Sequence, residues 1–275
     1  MRILHKSRFS KKYISTVVII LLSISCMFVV LILFPVILGK DQTVVQVKGT
    51  KPITDSKPEP AQEPVAATTI PSLAPDYSIP PTTDGMVPVI YKLPTDQKVV
   101  FLGLDDGTFK DQSVVDLMAK NNIKASLFLS QNTISNNPDF FKQLIDQGSV
   151  VENHTINHDT KMITTENYDQ QKSEICGMSD YAELHFGRRP TLFRPPGGAY
   201  SDSLRQAAAD CGMKAIVTWV AKVNGGSMQY QIGDKLRAGD IVLMHFRPEF
   251  ASDMKAFVDA MNASGLHTAL LEDAI

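Results

Sequence analysis

The sequence predicts an α/β fold, a distorted (β/α) barrel of seven units that is preceded by one transmembrane helix and a spacer. From residue 86 onward, short apolar runs of strand length alternate with segments of helical periodicity, which is typical of parallel βαβ units. Six or seven such units within about 190 residues favour a closed or nearly closed barrel. Polar residues follow directly after the apolar runs, where the active sites of such barrels lie.

The predicted strands are short apolar runs. The first of them is continuous, as expected of a strand that is buried on both faces. We predict strands over residues 99–104, 124–130, 149–152, 191–193, 215–219, 240–244 and 266–271.

The predicted helices lie between these runs. Val114, Val115 and Met118 give the first helix its apolar spacing, and Gly148 stops the second. We predict helices over residues 111–120, 137–146, 166–186, 203–209 and 254–261.

The N-terminal region, residues 1–39, reads as a basic cytoplasmic flank and a membrane anchor. An uncharged apolar stretch from Ile14 to Leu38 exceeds the ~20 residues that a helix needs to cross a bilayer. The basic residues before it should stay in the cytoplasm, so the rest of the chain should lie outside the cell membrane. A cleaved signal peptide is the alternative, but its apolar region would be shorter and would end at a small-residue cleavage site.

Residues 40–85 are rich in proline, threonine and lysine and show no strand or helix period, which predicts an extracytoplasmic spacer. Residues 86–275 form the predicted catalytic domain. Lys+Arg 27 against Asp+Glu 29 gives a net charge of -2, so no basic face for nucleic acid is expected.

The three cysteines fall into two groups. Cys26 lies in the predicted anchor, whereas Cys176 and Cys211 lie in the part expected outside the cell membrane. Exported cysteines tend to pair, so a disulfide is one interpretation, and two small buried thiols are the other.

A candidate metal site is predicted from residues after two of the strands. Adjacent carboxylates at Asp105 and Asp106 repel each other unless a cation neutralises them, although Asp-Gly is also a common turn. His154 and His158 are spaced like residues one helical turn apart, within reach of one ion. Together with Asp106 they give two nitrogens and one oxygen, which suits zinc, cobalt, iron or nickel.

Further polar residues follow the later strands. Arg194 can orient a carboxylate, Pro195 stiffens its surroundings, and the N–H of Gly197 can face an oxyanion. His245 follows an apolar strand, where it can protonate a leaving group. Trp219, the single tryptophan, is either part of the core or a wall that faces a sugar.

At this point the chain, from about Val99 to Ile275, resembles the polysaccharide deacetylases, carbohydrate esterase family four. The match is carried by five ordered segments: Gly103-Leu-Asp-Asp-Gly107, His154-Thr-Ile-Asn-His158, Arg194-Pro-Pro-Gly197, Trp219 and Leu243-Met-His245. The resemblance implies the roles of the residues. The metal ligands would be Asp106, His154 and His158, the catalytic residues Asp105 as base, His245 as acid and Arg194, and the substrate-binding residues Pro195, Gly197, Trp219 and Leu243.

Two residues depart from the family pattern. Gly197 stands where the family usually has tyrosine, and no aspartate follows Trp219 to steady the arginine, since that segment offers only Lys222 and Asn224.

The resemblance implies hydrolysis of N-acetyl groups on N-acetylglucosamine units of a cell-wall polysaccharide, peptidoglycan or chitin-like, with one divalent ion, zinc first. The alternatives are an O-acetyl esterase and a non-catalytic wall-binding module that keeps the metal site. The expected partners are the polysaccharide and, through one N-terminal helix, the cell membrane.

Overall fold

The computed structural model describes Asp76 and residues 79–274, all of which belong to one compact unit. The predicted anchor over 14–38 and most of the predicted spacer over 40–85 lie outside the described residues. Across the described part, none of the helices has the length and apolar character needed to span a membrane.

The domain is built on one mostly parallel sheet. The strands are β1 (Val89–Ile90), β2 (Val99–Asp106), β3 (Ser126–Leu129), β4 (Val150–Asn153), β5 (Leu192–Phe193), β6 (Ala215–Val217), β7 (Ala221–Asn224), β8 (Ser227–Tyr230), β9 (Ile241–His245) and β10 (His267–Ala269). Their order is β1-β6-β5-β4-β3-β2-β9-β7-β8, and β10 pairs with β2 beside this path.

Helices connect and cover the strands. They are α1 (Gln112–Lys120), α2 (Gln131–Ile134), α3 (Asp139–Asp146), α4 (Met162–Thr165), α5 (Tyr168–Phe186), α6 (Asp202–Asp210) and α7 (Phe250–Ala263). The long helix α5 begins at a capping box, in which Asn167 and Gln170 satisfy each other's backbone N–H groups, and it ends at Gly187 in the left-handed conformation.

β2 is the central strand and sorts its side chains between two sides of the sheet. Val100, Leu102 and Leu104 pack in the larger core with helices on one side, whereas Val99 and Phe101 pack with residues of the barrel interior on the other. By the two-residue period of a strand, Gly103 and Asp105 also face the interior.

The sheet is more open than the closed or nearly closed barrel of seven units that the sequence predicts. In the described part of the chain, β1 and β8 are the two ends of the path, so the sheet is a curled half-barrel. β1 is only two residues long, and the other end is an antiparallel β7–β8 hairpin rather than another β/α unit. The α/β class and the alternation of strands and helices are confirmed, and the sheet forms a curled half-barrel rather than a barrel of seven β/α units.

Two helices are joined covalently. Cys176 lies in α5 and Cys211 follows α6, and the two form a disulfide with their Cα atoms 5.0 Å apart. The disulfide interpretation is therefore the one that the structure adopts.

Candidate active site and metal centre

The predicted site residues meet at one edge of the sheet. Asp105 and Asp106 end β2, His154 follows β4, Arg194 follows β5, and His245 ends β9. These strands are parallel to their neighbours, so their carboxyl ends open on the same side. The structure therefore brings these side chains together at the carboxyl ends of the strands, as their positions in the sequence predict.

Three of these side chains form a cluster suited to a metal ion. Ligand atoms of Asp106, His154 and His158 all lie within 4.8 Å of one another. Oδ1 of Asp106 is 3.0 Å from Nε2 of His158 and 3.5 Å from Nε2 of His154. Ligands placed ~2.0–2.1 Å from a tetrahedral ion are about 3.3 Å apart, and the two distances from Asp106 lie close to that value.

Two further observations support a cation in this cluster. Oδ1 of Asp106 is buried and has no partner with hydrogen-bond geometry, which a bound ion would supply. Burial opposes ionisation of this carboxyl, but the contacts with His154 and His158 outweigh it and hold the pKa of Asp106 well below its usual value. The carboxylate is therefore ready to act as a ligand.

His154 is fixed through its second ring nitrogen. Nδ1 lies 2.5 Å from the backbone oxygen of Arg194, so it carries the proton and leaves Nε2 free for the cluster. The backbone of this residue is held as well, because Ser130 Oγ donates to its carbonyl at 2.6 Å.

The segment from His154 to His158 is a turn and not the helical turn that the spacing suggests. Thr155 and His158 have left-handed backbones with φ of 72° and 56°, and Asp106 has φ of 76°. These are three of the five non-glycine residues with positive φ in the described chain. Such conformations are costly and tend to persist where function requires them.

Residues outside the motifs hold this turn in place. Asn153 accepts from the N–H of Thr155 at 2.9 Å, and Glu174 on α5 accepts from the backbone and side chain of Asn157. The sequence analysis did not find Asn153 or Glu174, because neither stands at a recognisable motif position.

Asp105 forms a buried ion pair with Arg194. Nη1 of Arg194 donates to Oδ1 of Asp105 at 2.6 Å, and both side chains are almost completely buried. The other oxygen, Oδ2, lies 3.8 Å from Nε2 of His154 and so faces the candidate metal ligands. One oxygen is thus held by the arginine while the other is directed at the place where a water would react.

Arg194 is held without the aspartate that the family carries after Trp219. Its Nε donates to the carbonyl of Val217 at 3.2 Å and its Nη2 to that of Thr218 at 3.4 Å. Its guanidinium carbon lies 4.0 Å from the ring centre of Phe128. Lys222 is exposed, and Asn224 accepts from Arg247, so neither takes the place of that aspartate. The arginine is held instead by backbone carbonyls just before Trp219.

His245 lies beside Asp105, since the two are partners in the β2–β9 ladder. Burial lowers the pKa of its imidazole, and the charges of Asp105 and Asp106 oppose that shift. An imidazole at this position can release its proton to a departing group.

The predicted substrate-binding residues differ in their access to solvent. Gly197 is exposed and Trp219 is partly exposed at the end of β6. Pro195 and Leu243 are buried, so neither offers more than a small surface to a ligand. Gly197 has φ of 70°, a left-handed backbone that glycine adopts without strain.

A comparison with family models matches residues 92–216 to the model described as polysaccharide deacetylase. An uncharacterised protein of Streptomyces coelicolor is 33% identical over 192 residues, which cover 68% of this chain and 76% of that protein. The chain belongs to the polysaccharide deacetylase family. The prediction of a deacetylase-type hydrolase is confirmed at this level.

A second curated relative and a solved structure are also similar to this chain. A peptidoglycan-N-acetylglucosamine deacetylase of Bacillus cereus is 28% identical over 168 residues, which cover 57% of this chain and 76% of that protein. The structure of BA3943 from Bacillus anthracis, described as a family four pseudoenzyme, superposes with a TM-score of 0.57 at 20% identity over 68% of each chain. The polysaccharide deacetylase fold is therefore confirmed.

Proposed function

We propose that this polysaccharide deacetylase is metal-dependent and removes N-acetyl groups from N-acetylglucosamine units of a cell-wall polysaccharide, peptidoglycan or chitin-like. The observation that carries the proposal is the Asp106–His154–His158 cluster beside the free oxygen of Asp105. The similarity to the Bacillus cereus peptidoglycan deacetylase supports the substrate.

The ion would be held by Asp106, His154 and His158. When bound, a divalent ion polarises the amide carbonyl and makes a water acidic enough to attack it. Two imidazoles and one carboxylate suit zinc, with cobalt, nickel and iron as alternatives.

The remaining residues move the protons. Oδ2 of Asp105 accepts the proton of the attacking water, while Arg194 holds the carboxylate in place through Oδ1. His245 donates a proton to the departing amine, so that acetate and a free amino sugar are formed. The backbone N–H of Gly197 stabilises the negative oxygen of the intermediate.

We also propose that the enzyme works outside the cytoplasm on a single N-terminal anchor. The apolar stretch of 14–38 with its basic flank supports the anchor. The Cys176–Cys211 disulfide supports an oxidising compartment.

The test is acetate release by the full-length chain from peptidoglycan, N-acetylglucosamine oligomers and acetylxylan, with and without a chelator. We expect acetate from the first two substrates, loss of activity with chelator and recovery with zinc. The His154→Ala/His158→Ala variant should contain no stoichiometric metal, whereas His245→Ala should keep its metal and lose most activity. Metal retained in the double variant would contradict the assigned ligands.

A wall-binding module is the second candidate, because the fold is shared with the pseudoenzyme BA3943. Binding to peptidoglycan without acetate release would establish it. Release from acetylxylan alone would identify an O-acetyl esterase.

A further inference from the structure

Two tyrosines far apart in the sequence meet at the surface. The hydroxyl of Tyr91 lies 2.7 Å from that of Tyr200, and the side chains are 42% and 36% exposed. Within residues that the structure describes, only Leu184 and Ile232 are other large apolar residues with so much exposure.

The pair lies at the same edge of the sheet as the candidate metal ligands. Tyr91 follows β1, and Tyr200 follows the short 3-10 turn Pro196–Gly198 after β5. Trp219 follows β6, which lies between β1 and β5. Three aromatic residues therefore follow the carboxyl ends of three neighbouring strands, leading from the active site toward the sheet end at β1.

Trp219 lies close to the catalytic residues and packs against Gly198, two residues before Tyr200. Its ring centre is 5.8 Å from the guanidinium carbon of Arg194, which holds the base Asp105. On its other side the indole packs against Gly198, where a Cβ would come within 2.7 Å of the ring. Tyr200 is only two residues further along the chain. Gly198 is thus required by the close approach of the indole.

We propose that Tyr91 and Tyr200, continuing the aromatic wall of Trp219, bind a sugar unit next to the one that is deacetylated. An aromatic face with a hydroxyl at its tip suits a sugar ring, which has apolar C–H faces and a polar rim. Because β1 is an end of the sheet path, a polymer can continue past this edge. The inference rests on the proposed function and extends it from one sugar unit to a polymer.

The experiment separates the aromatic rings from the hydrogen bond between them. In the full-length chain we compare Tyr91→Ala/Tyr200→Ala with Tyr91→Phe/Tyr200→Phe, which keeps the rings and removes both hydroxyls. Leu184→Ala on α5 is the control for loss of an exposed apolar side chain. The probes are the N-acetylglucosamine tetramer and 4-nitrophenyl acetate, which is too small to reach a second sugar site.

We expect the alanine pair to bind the tetramer about 10-fold more weakly, as measured by calorimetry, while the phenylalanine pair stays within about 3-fold of the parent. Hydrolysis of 4-nitrophenyl acetate should be unchanged in both, which also reports an intact fold. If the alanine pair fails to fold, Tyr200→Ala alone provides the same comparison.

Unchanged tetramer affinity in the alanine pair would overturn the proposal. An equal loss of affinity in the phenylalanine pair would overturn it too, because it would show that the hydrogen bond between the tyrosines only stabilises the fold. A parent without tetramer affinity would overturn it as well. A parent that binds the tetramer through these rings but releases no acetate would contradict the proposed function and leave the sugar site in place.

Discussion

The guanidinium of Arg194 is fully buried, and its burial is tolerated because the carboxylate of Asp105 lies 2.6 Å away. An unpaired buried charge is much more costly than a loss of the pair as a whole. The carboxylate of Asp105 thus has two duties, as the catalytic base and as the hydrogen-bond acceptor of the arginine, and different substitutions separate these two duties.

We predict that Asp105→Asn lowers turnover by ~10²–10⁴, because it removes a base while keeping an oxygen for Arg194. Asp105→Ala should lower turnover similarly and also destabilise the fold by about 3 kcal/mol, because the guanidinium loses its partner. Acetate release, metal content and urea unfolding measure the three effects. Equal stability of the two variants would contradict the structural duty.

Gly103 makes the position of Arg194 possible. A Cβ at this residue would lie 2.3 Å from Nη1 and 2.6 Å from Nη2 of the arginine. Gly103 is on β2 and faces the same interior as Asp105, so the guanidinium occupies the space that a side chain would fill.

We predict that Gly103→Ala lowers turnover at least about 10-fold by displacing the guanidinium from Asp105, with the metal still bound. The effect should be smaller in an Arg194→Lys background, which lacks the clashing nitrogens, so the two substitutions should not add. A double-mutant cycle on acetate release and Tm measures the coupling. Strict additivity would show that the glycine serves a different purpose.

At the scale of elements, the Cys176–Cys211 disulfide ties α5 to α6 across 35 residues. Since neither cysteine is a candidate metal ligand or catalytic residue, we expect the disulfide to contribute to stability and not to catalysis. α5 also carries Glu174, which holds the turn between the two histidines.

We predict that Cys176→Ser/Cys211→Ser lowers the free energy of unfolding by about 4 kcal/mol, as expected for a loop of this length. Turnover and metal content of the folded fraction should equal those of the parent. Urea unfolding of the variant and of the parent, with and without reductant, provides the comparison. A reductant effect that persists in the variant would exclude the disulfide as its cause.

The elements that the sequence predicts well are those with a strong apolar period. β2, α5 and β9 were predicted to within two residues at each end, and the site residues at their ends followed from this. The β7–β8 hairpin was not predicted, although its two turn residues, Gly225-Gly226, are a common hairpin dipeptide.

Other parts of the site have no signal in the sequence. The carbonyls of Val217 and Thr218 hold Arg194, and every residue type presents the same backbone oxygen. The left-handed turn of Thr155 and His158 is likewise not typical of these residue types. The candidate metal ligands could be named from sequence, but not the geometry that brings them together.

At the scale of the whole molecule, a pair of carboxyl groups lies in the interior near the chain's last helical turn. Ser126 Oγ donates to Glu272 at 3.0 Å, and Glu152 accepts from Arg188 and from two backbone N–H groups. Burial and then the charge of Glu152 raise the pKa of Glu272 to about 8. Glu272 is therefore neutral at neutral pH.

We predict that stability falls as pH rises from about 5 to about 8, because the folded state holds a proton that the unfolded state releases near its ordinary pKa of 4.5. The contribution is complete below that ordinary value and is lost as the pH passes the raised one. Glu272→Gln, which stays neutral, should flatten this dependence in urea unfolding, whereas the exposed Glu249→Gln should not. Parallel profiles for the parent and Glu272→Gln would refute this origin.

The position of β10 in the sheet affects how the protein can fold while it is being synthesised. β10 pairs with Val99, Val100 and Phe101, the first half of the strand that ends at Asp105 and Asp106. β10 is synthesised after all of the site residues, the last of which is His245. A nascent chain can therefore contain every catalytic and metal-binding residue while its central strand still lacks a neighbour, so activity should appear only once residues beyond 269 have left the ribosome.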